Sequence, residues 1–171
     1  MRGAWVLPDV RSTESLGAAL GRHTPWGPGG ARSLFLSGEL GTGKTTLAAA
    51  LFARLGVRET VRSPTYSLIE TYPVSAGHAV HIDLYRLRGA EELEQLGLRD
   101  YLQANTLLVV EWPERLQASL PQPDLLLTLV MAEQGRVCSI EAFTGFGEAW
   151  LARVEREISP SDTVEIQLVS P

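Results

Sequence analysis

One eight-residue segment constrains the fold of this chain more than any other, and it reads Gly38-Glu39-Leu40-Gly41-Thr42-Gly43-Lys44-Thr45. A short apolar stretch, residues 33–37, precedes it, and an alanine- and leucine-rich stretch, residues 44–55, follows and ends at Gly56. The order predicts a buried strand, a glycine-rich turn and a helix. A G-x-x-x-x-G-K-[ST] pattern in that context is typical of a phosphate-binding P-loop, so we expect an α/β fold of the P-loop NTPase-like, three-layer kind.

The basic residues support a special role for Lys44. Fourteen of the 15 basic residues are arginine, and Lys44 is the only lysine. A compact ammonium fits between the β- and γ-phosphates of a nucleotide, where a planar guanidinium does not substitute freely. The glycines let backbone N–H groups turn toward phosphates, and the helix adds the positive end of its dipole. We expect residues 38–46, including Thr46, to bind the nucleotide. We expect the Thr45 hydroxyl to bind Mg²⁺.

Two acidic residues follow predicted strands and are candidates for the metal shell. Glu111 follows the continuous apolar run at 106–110, and Asp83 follows Val80-His81-Ile82. Ligands bind at the carboxyl ends of strands in open α/β sheets, and Mg²⁺ prefers carboxylate and phosphate oxygens. We expect at least one of the two to act there, and the residues alone leave open which one.

The nucleotide base can be inferred from what the chain lacks. A GTPase normally recognises guanine with an Asn-Lys-x-Asp motif. Because the only lysine lies in the P-loop, the chain cannot contain that motif. The expected ligand is therefore ATP.

Composition excludes several other classes of protein. The net charge of -5 and the pI of about 5.2 argue against a broad cationic surface that grips nucleic acid directly. The single cysteine, Cys138, permits no internal disulfide, and the most apolar run, residues 125–132, is too short to span a bilayer. No targeting segment is recognisable at the start of the chain, so we expect a cytoplasmic protein without a membrane partner.

The remaining pattern predicts an alternation of strands and helices around this centre. We predict a P-loop domain over residues 1–145 and a C-terminal helix or tail of uncertain structure over residues 146–171. The predicted strands are residues 5–7, 66–72, 79–83, 124–131 and 136–143, with hairpins between the second and third and between the last two. The predicted helices are residues 12–20, capped by Ser12 or Thr13, and residues 91–96, 114–120 and 147–157. Residues 23–30 are predicted to be a loop, and residues 163–169 either a strand or disordered.

Further segments carry a resemblance to a known family. They are Ser63-Pro64-Thr65-Tyr66-Ser67-Leu68, His81-Ile82-Asp83-Leu84-Tyr85-Arg86-Leu87, Leu96-Gly97-Leu98 and Glu111-Trp112-Pro113-Glu114. In this order behind the P-loop, the chain resembles the TsaE (YjeE) family over roughly residues 12–143. The resemblance implies the ATPase component of bacterial tRNA threonylcarbamoyladenosine biosynthesis, with a mixed central sheet. It also implies a TsaB–TsaD partner pair that carries out the transfer itself, with tRNA reached only through that complex.

The resemblance also implies roles for individual residues. Lys44 and Thr45 correspond to phosphate and magnesium contacts, Glu111 to a Walker-B-like acid, and Asp83 to a second acid required for hydrolysis. Thr65 corresponds to a switch-like loop near the γ-phosphate, although plain turn chemistry explains it equally well.

The family's remaining motif residues are less sharply defined. Trp112 lies either near the nucleotide or in the core, and His81 is more plausible as a packed strand residue than as a base. Tyr85 and Arg86 either face a partner or brace Asp83. None of Arg62, Arg86, Arg88 and Arg99 can be assigned as an arginine finger from the sequence, so a partner is a candidate source of one.

Two other functions are compatible with a P-loop. A small-molecule kinase usually carries an arginine-rich lid, but residues 89–101 contain Arg99 and four carboxylates, which make a poor lid. A nucleotide-dependent binding module without turnover is disfavoured by the presence of both Asp83 and Glu111. Slow hydrolysis by the isolated protein, increased by partners, is the expectation that follows from the main interpretation.

Overall fold

A computed structural model describes residues 1–158 of the chain, and the predicted element at 163–169 lies outside them. The fold is built on one seven-stranded sheet in the order β1-β7-β6-β2-β5-β4-β3. The strands are β1 (Arg2–Leu7), β2 (Arg32–Ser37), β3 (Ile69–Val74), β4 (Gly77–Asp83), β5 (Thr106–Glu111), β6 (Leu125–Met131) and β7 (Arg136–Ala142). Strands β4, β5, β2 and β6 run parallel, whereas β1, β7 and β3 pair antiparallel with their neighbours. The mixed central sheet is thereby confirmed.

Helices cover both faces of the sheet and give three layers. The helices are α1 (Val10–Arg22), α2 (Lys44–Arg54), α3 (Ala90–Gln95) and α4 (Gly145–Glu157). Side chains of α1, α2 and α4, such as Leu16, Leu51 and Trp150, share one buried cluster with one face of the sheet. The opposite face is covered by α3 and the segment around Leu98 and Leu116. The P-loop NTPase-like α/β fold predicted from the sequence is therefore correct.

Helices α1 and α2 approach each other closely, and this holds α2 in place behind β2. A Cβ atom at Gly17 of α1 would lie 2.4 Å from the carbonyl oxygen of Leu47 in α2. Only glycine permits that separation. Strand β2 lies between β5 and β6 at the centre of the sheet, so the loop from β2 to α2 emerges at the middle of one sheet edge.

Most predicted elements are confirmed, including both hairpins and the α2 helix, but several boundaries and one element type differ from the prediction. Helix α1 begins at Val10, because the Asp9 carboxylate accepts a hydrogen bond from the Ser12 N–H at 2.8 Å and caps the helix three residues earlier than predicted. The helix also continues to Arg22 instead of ending at Leu20.

Two further corrections arise where single residues depart from regular backbone geometry. Strand β3 begins at Ile69 rather than at residue 66, because Leu68 has a φ of 64° and interrupts the extended chain. The predicted helix 114–120 is two short 3₁₀ turns, Pro113–Arg115 and Gln117–Ser119. Leu116 between them has a φ of -138°, which an α-helix cannot accommodate.

Candidate functional site

A cavity of about 360 Å³ lies at the sheet edge where β2, β4 and β5 end. The P-loop forms one wall, and the segments that follow β4 and β5 form the other. The structure brings most of the predicted site residues to it, namely Leu40, Gly41, Gly43, Lys44, Thr45, Thr46, Thr65, Asp83, Glu111 and Trp112. Gly38, Glu39 and Thr42 do not line the cavity, but they shape the loop that does.

The glycines of the P-loop adopt backbone conformations that other residues rarely reach. Gly38 has a φ of 134°, and a Cβ there would lie 2.3 Å from the Leu129 carbonyl oxygen of β6. Gly43 has a φ of 103° and stands at the N-cap of α2, where no side chain caps the helix. The first N–H groups of an α-helix have no partner within the helix. Those of α2 therefore begin at the cavity wall without a side-chain acceptor at the cap.

Lys44 is held close to the loop that precedes it. Its ammonium donates to the carbonyl oxygens of Gly38 at 2.5 Å and Glu39 at 2.9 Å. It also lies 3.8 Å from the centre of the Trp112 ring, a cation–π distance. Burial of the side chain, which is 5% exposed, lowers the pKa of Lys44, and the nearby carboxylates of Glu111, Glu114 and Asp83 oppose that shift.

Two buried carboxylates face this lysine from adjacent strands. The parallel register of β4 and β5 sets Asp83 beside Glu111. The Thr45 hydroxyl lies 3.0 and 3.1 Å from the two carboxylate oxygens of Glu111 and donates to them. Asp83 and Glu111 are 4% and 2% exposed, so both acids belong to the site rather than to the solvated surface.

The loop before β3 meets Asp83 through Ser63. The Ser63 hydroxyl donates to one Asp83 oxygen, and the backbone N–H of Tyr85 donates to the other at 2.8 Å. Thr65 lies next to this pair, with its hydroxyl 3.3 Å from the Ser63 carbonyl oxygen. The sequence singled out Thr65 in this loop, whereas the direct contact to the acid belongs to Ser63. Of the two alternatives for Tyr85, facing a partner or bracing Asp83, the structure supports the second, and the contact is made by the backbone N–H of Tyr85.

Trp112 forms part of the cavity wall. Its backbone is left-handed, with a φ of 61°, directly after the last residue of β5. One face of the indole meets Lys44, and the Tyr85 ring lies 4.8 Å away between ring centres. The same indole packs against the cluster of buried side chains on the α3 side of the sheet. Trp112 therefore joins the core to the site instead of belonging to only one of them.

Arg86 is the other residue, besides Tyr85, for which the sequence left two alternatives: facing a partner or bracing Asp83. It lines the cavity, and its guanidinium lies 4.9 Å from the centre of the Tyr66 ring. Arg99, another of the arginines considered, bonds to Glu94 on the surface instead. The sequence could have indicated that Arg86 lines the cavity, because Arg86 lies in the same motif, residues 81–87, as Asp83.

His81 lies beneath the site and is fully buried in β4. Its Nε2 atom is 2.8 Å from Glu111 Oε1, and its ring centre is 5.3 Å from that of Phe52 in α2. It is a packed strand residue, as predicted, and it also contacts one of the two site acids.

The sheet order and the strand–loop–helix unit with its single lysine define a P-loop NTPase-like α/β protein. A solved structure, that of Bacillus subtilis YdiB, has the same fold, with a TM-score of 0.73 at 23% sequence identity, covering 92% of this chain and 96% of that one. The family model for threonylcarbamoyl adenosine biosynthesis protein TsaE matches residues 7–138. The chain belongs to the TsaE family, whose members are involved in tRNA threonylcarbamoyladenosine biosynthesis.

Two relatives show the extent of the similarity. The tRNA threonylcarbamoyladenosine biosynthesis protein TsaE of Haemophilus influenzae is 38% identical over 115 residues, which is 67% of this chain and 73% of that protein. The protein of the same name from Streptomyces coelicolor is 40% identical over 123 residues, or 68% of this chain and 82% of its own.

Among residues 1–158, no helix has both the length and the apolar character needed to cross a lipid bilayer.

Proposed function

We propose that this protein binds and hydrolyses ATP with Mg²⁺ as an accessory subunit of the tRNA threonylcarbamoyladenosine modification machinery. The observation that carries the proposal is the convergence of Lys44, Thr45, Asp83 and Glu111 on one P-loop cavity. Membership of the TsaE family supplies the pathway. Because no Asn-Lys-x-Asp motif can exist in this chain, adenine is the proposed base.

The P-loop has the donors that a triphosphate requires. Among residues 1–158, the Lys44 ammonium hydrogen-bonds to backbone carbonyl oxygens alone, so a phosphate oxygen can replace them without breaking an ion pair within that range. The uncapped start of α2 offers further N–H donors and the positive end of the helix dipole. These features fit a nucleotide phosphate chain along residues 38–46.

The oxygen atoms beside Lys44 fit a hard divalent cation. Thr45 and Glu111 would hold Mg²⁺, since hydroxyl and carboxylate oxygens are ligands that it accepts. When bound, Mg²⁺ would neutralise charge that develops on the phosphates during transfer. Asp83 would order the metal shell or orient the attacking water, and its bonds to Ser63 and Tyr85 would fix the carboxylate for that task.

The switch-like loop would connect the site to partners. Ser63 and Thr65 line the cavity, and Ser63 contacts Asp83. The γ-phosphate of a bound nucleotide would therefore lie near the hydroxyl groups of this loop. Ordering of such a loop by a γ-phosphate is a common way to report nucleotide state. We propose that the TsaB–TsaD pair recognises the conformation of this loop. That pair would carry out the transfer and contact tRNA, while this subunit supports repeated turnover.

The direct test is ATP hydrolysis by the purified protein, alone and with a TsaB–TsaD pair plus tRNA. We expect slow hydrolysis alone, because an isolated P-loop switch often lacks a completed site, and faster hydrolysis in the assembly. Tight ATP binding without stimulation by the pair would refute the accessory role. A panel of small phosphate acceptors run in parallel would then test for a kinase.

The Asp83→Asn variant should lose hydrolysis while it keeps ATP binding. The amide is nearly isosteric and can still accept from the Tyr85 N–H, so the loop geometry survives. It removes the charge that orders the metal shell or the water, and we expect the hydrolysis rate to fall by about 100-fold or more. Single-turnover hydrolysis and ATP titration measure the two quantities separately.

The matched control is Asp100→Asn, which removes an exposed carboxylate on the 3₁₀ turn Leu98–Tyr101. This variant should hydrolyse ATP at the unmodified rate. Equal rates for Asp83→Asn and Asp100→Asn would remove Asp83 from the chemistry and leave it with a structural role.

A further inference from the structure

A buried histidine contacts the acid at the centre of the proposed metal site. His81 is 0% exposed, and its Nε2 atom lies 2.8 Å from Glu111 Oε1. The register of β4 and β5 sets His81 opposite Val109 and Asp83 opposite Glu111. Residues two apart on a strand point to the same face. His81 and Asp83 therefore approach Glu111 from the same strand, one from beneath and one from beside it.

The direction of this hydrogen bond follows from the surroundings of the ring. An ionised carboxylate can only accept hydrogen bonds, so the hydrogen of this contact is on His81 Nε2. The Nδ1 atom is buried and has no hydrogen-bond partner among the described residues. A proton there would be an unpaired buried donor, which is costly. The contact geometry therefore places a proton on Nε2, which donates it to Glu111.

We propose that His81 is a positioning residue that orients the Glu111 carboxylate for the magnesium site, an inference that rests on the proposed function. By donating to Oε1, His81 fixes the rotation of the carboxylate. The other oxygen, Oε2, is bonded in residues 1–158 only by the Thr45 hydroxyl. If Thr45 held Mg²⁺ and gave up a contact with Glu111, His81 would still hold the carboxylate through Oε1. Such outer partners of metal ligands typically contribute about 10- to 100-fold in metal affinity or activity.

Three substitutions separate this role from packing. His81→Phe keeps an aromatic ring against Phe52, 5.3 Å away between ring centres, but removes the donor. His81→Gln places an amide nitrogen about where Nε2 lies and restores the donor. His81→Asn is shorter, so its amide does not reach Glu111. A purely structural role predicts that Gln and Asn behave alike, whereas a positioning role predicts that only Gln rescues.

The first measurement uses the wild-type protein without metal or nucleotide. Nitrogen-15 NMR of the histidine rings distinguishes the two neutral tautomers. We expect the buried ring to carry its proton on Nε2. A proton on Nδ1 alone would overturn the proposal, because Nε2 could then not donate to Glu111.

The second measurement is the Mg²⁺ concentration that half-saturates binding of a fluorescent ATP analogue. For His81→Phe we expect this concentration to rise by about 10- to 100-fold, with analogue binding in excess EDTA unchanged. His81→Gln should stay within a few-fold of wild type. His78→Phe, on the same strand but exposed, is the matched control.

The outcomes separate the two levels of the proposal. Wild-type Mg²⁺ dependence in a folded His81→Phe protein would overturn the role of His81 alone. If that variant does not fold, the Gln and Asn pair decides, and equal Mg²⁺ dependence in both would overturn it. Failure of the wild-type protein to bind the analogue with or without Mg²⁺ would overturn the proposed function instead.

Discussion

The Lys44→Met variant should lose ATP hydrolysis almost completely, by at least about 100-fold. Lys44 is the only lysine, and its ammonium is the charge that the P-loop brings to the phosphates. Met is similar in length and fits beside Trp112, so the change removes charge with little loss of packing. The hydrolysis rate and the ATP dissociation constant are the quantities to measure, in the isolated protein and in the assembly with partners.

Lys44→Arg should not rescue the activity, because a planar guanidinium is wider than the ammonium that lies 3.8 Å from the Trp112 ring centre and does not substitute freely between phosphates. Arg54→Met, at the exposed far end of α2, is the control for loss of a positive charge on the same helix. It should leave hydrolysis unchanged. If Lys44→Met were as active as Arg54→Met, the proposed role of the lysine would be wrong.

Gly38→Ala should destabilise the whole fold, by about 2–5 kcal/mol, through left-handed strain and overpacking combined. The new methyl group would lie 2.3 Å from the Leu129 carbonyl oxygen, and that oxygen belongs to the backbone of β6. A backbone atom in the sheet cannot move aside as the end of a flexible side chain can. Urea unfolding followed by circular dichroism gives the free energy of unfolding.

Gly41→Ala isolates the contribution of the steric contact. Gly41 also has a positive φ, of 81°, but a Cβ there would have no atom within 4 Å. This variant should therefore show only the backbone strain, about 1–2 kcal/mol. Equal losses of stability in the two variants would mean that the contact with Leu129 does not control the position of the P-loop.

The sequence was sufficient where the determinants are local. Residues 33–56 contain a buried strand, a glycine turn and a helix that ends before Gly56, and each signal agrees with the next. The two hairpins were equally readable, since each pairs segments separated by a short turn. The fold class and the place of Lys44 at one edge of the sheet follow from these elements.

The sequence was insufficient where one element decides the conformation of another. The left-handed residues Leu68 and Trp112 are large apolar side chains that no turn pattern would place at positive φ. Tertiary contacts hold them there, including the packing of Trp112 against Lys44 and Tyr85. The start of β3 depended on Leu68, and the absence of a helix after β5 depended on the extended φ of Leu116.

The same reason explains which site contacts were missed. Ser63 and Asp83 are 20 residues apart, and His81 and Glu111 are 30 apart. Their contacts depend on strand register and on the path of a loop, and a single sequence specifies neither. The motifs marked the right residues, but only the structure shows which side chain touches which.

The enclosed position of Lys44 has a practical consequence for labelling. Apart from the α-amino group, the chain has one primary amine, and it is 5% exposed beneath an indole ring. Burial lowers the pKa of Lys44, which increases the share of uncharged, nucleophilic amine at a given pH. An amine-selective acylating reagent therefore has a single side-chain amine to modify in this protein, and the rate at which that side chain gains mass would measure how accessible Lys44 is in solution.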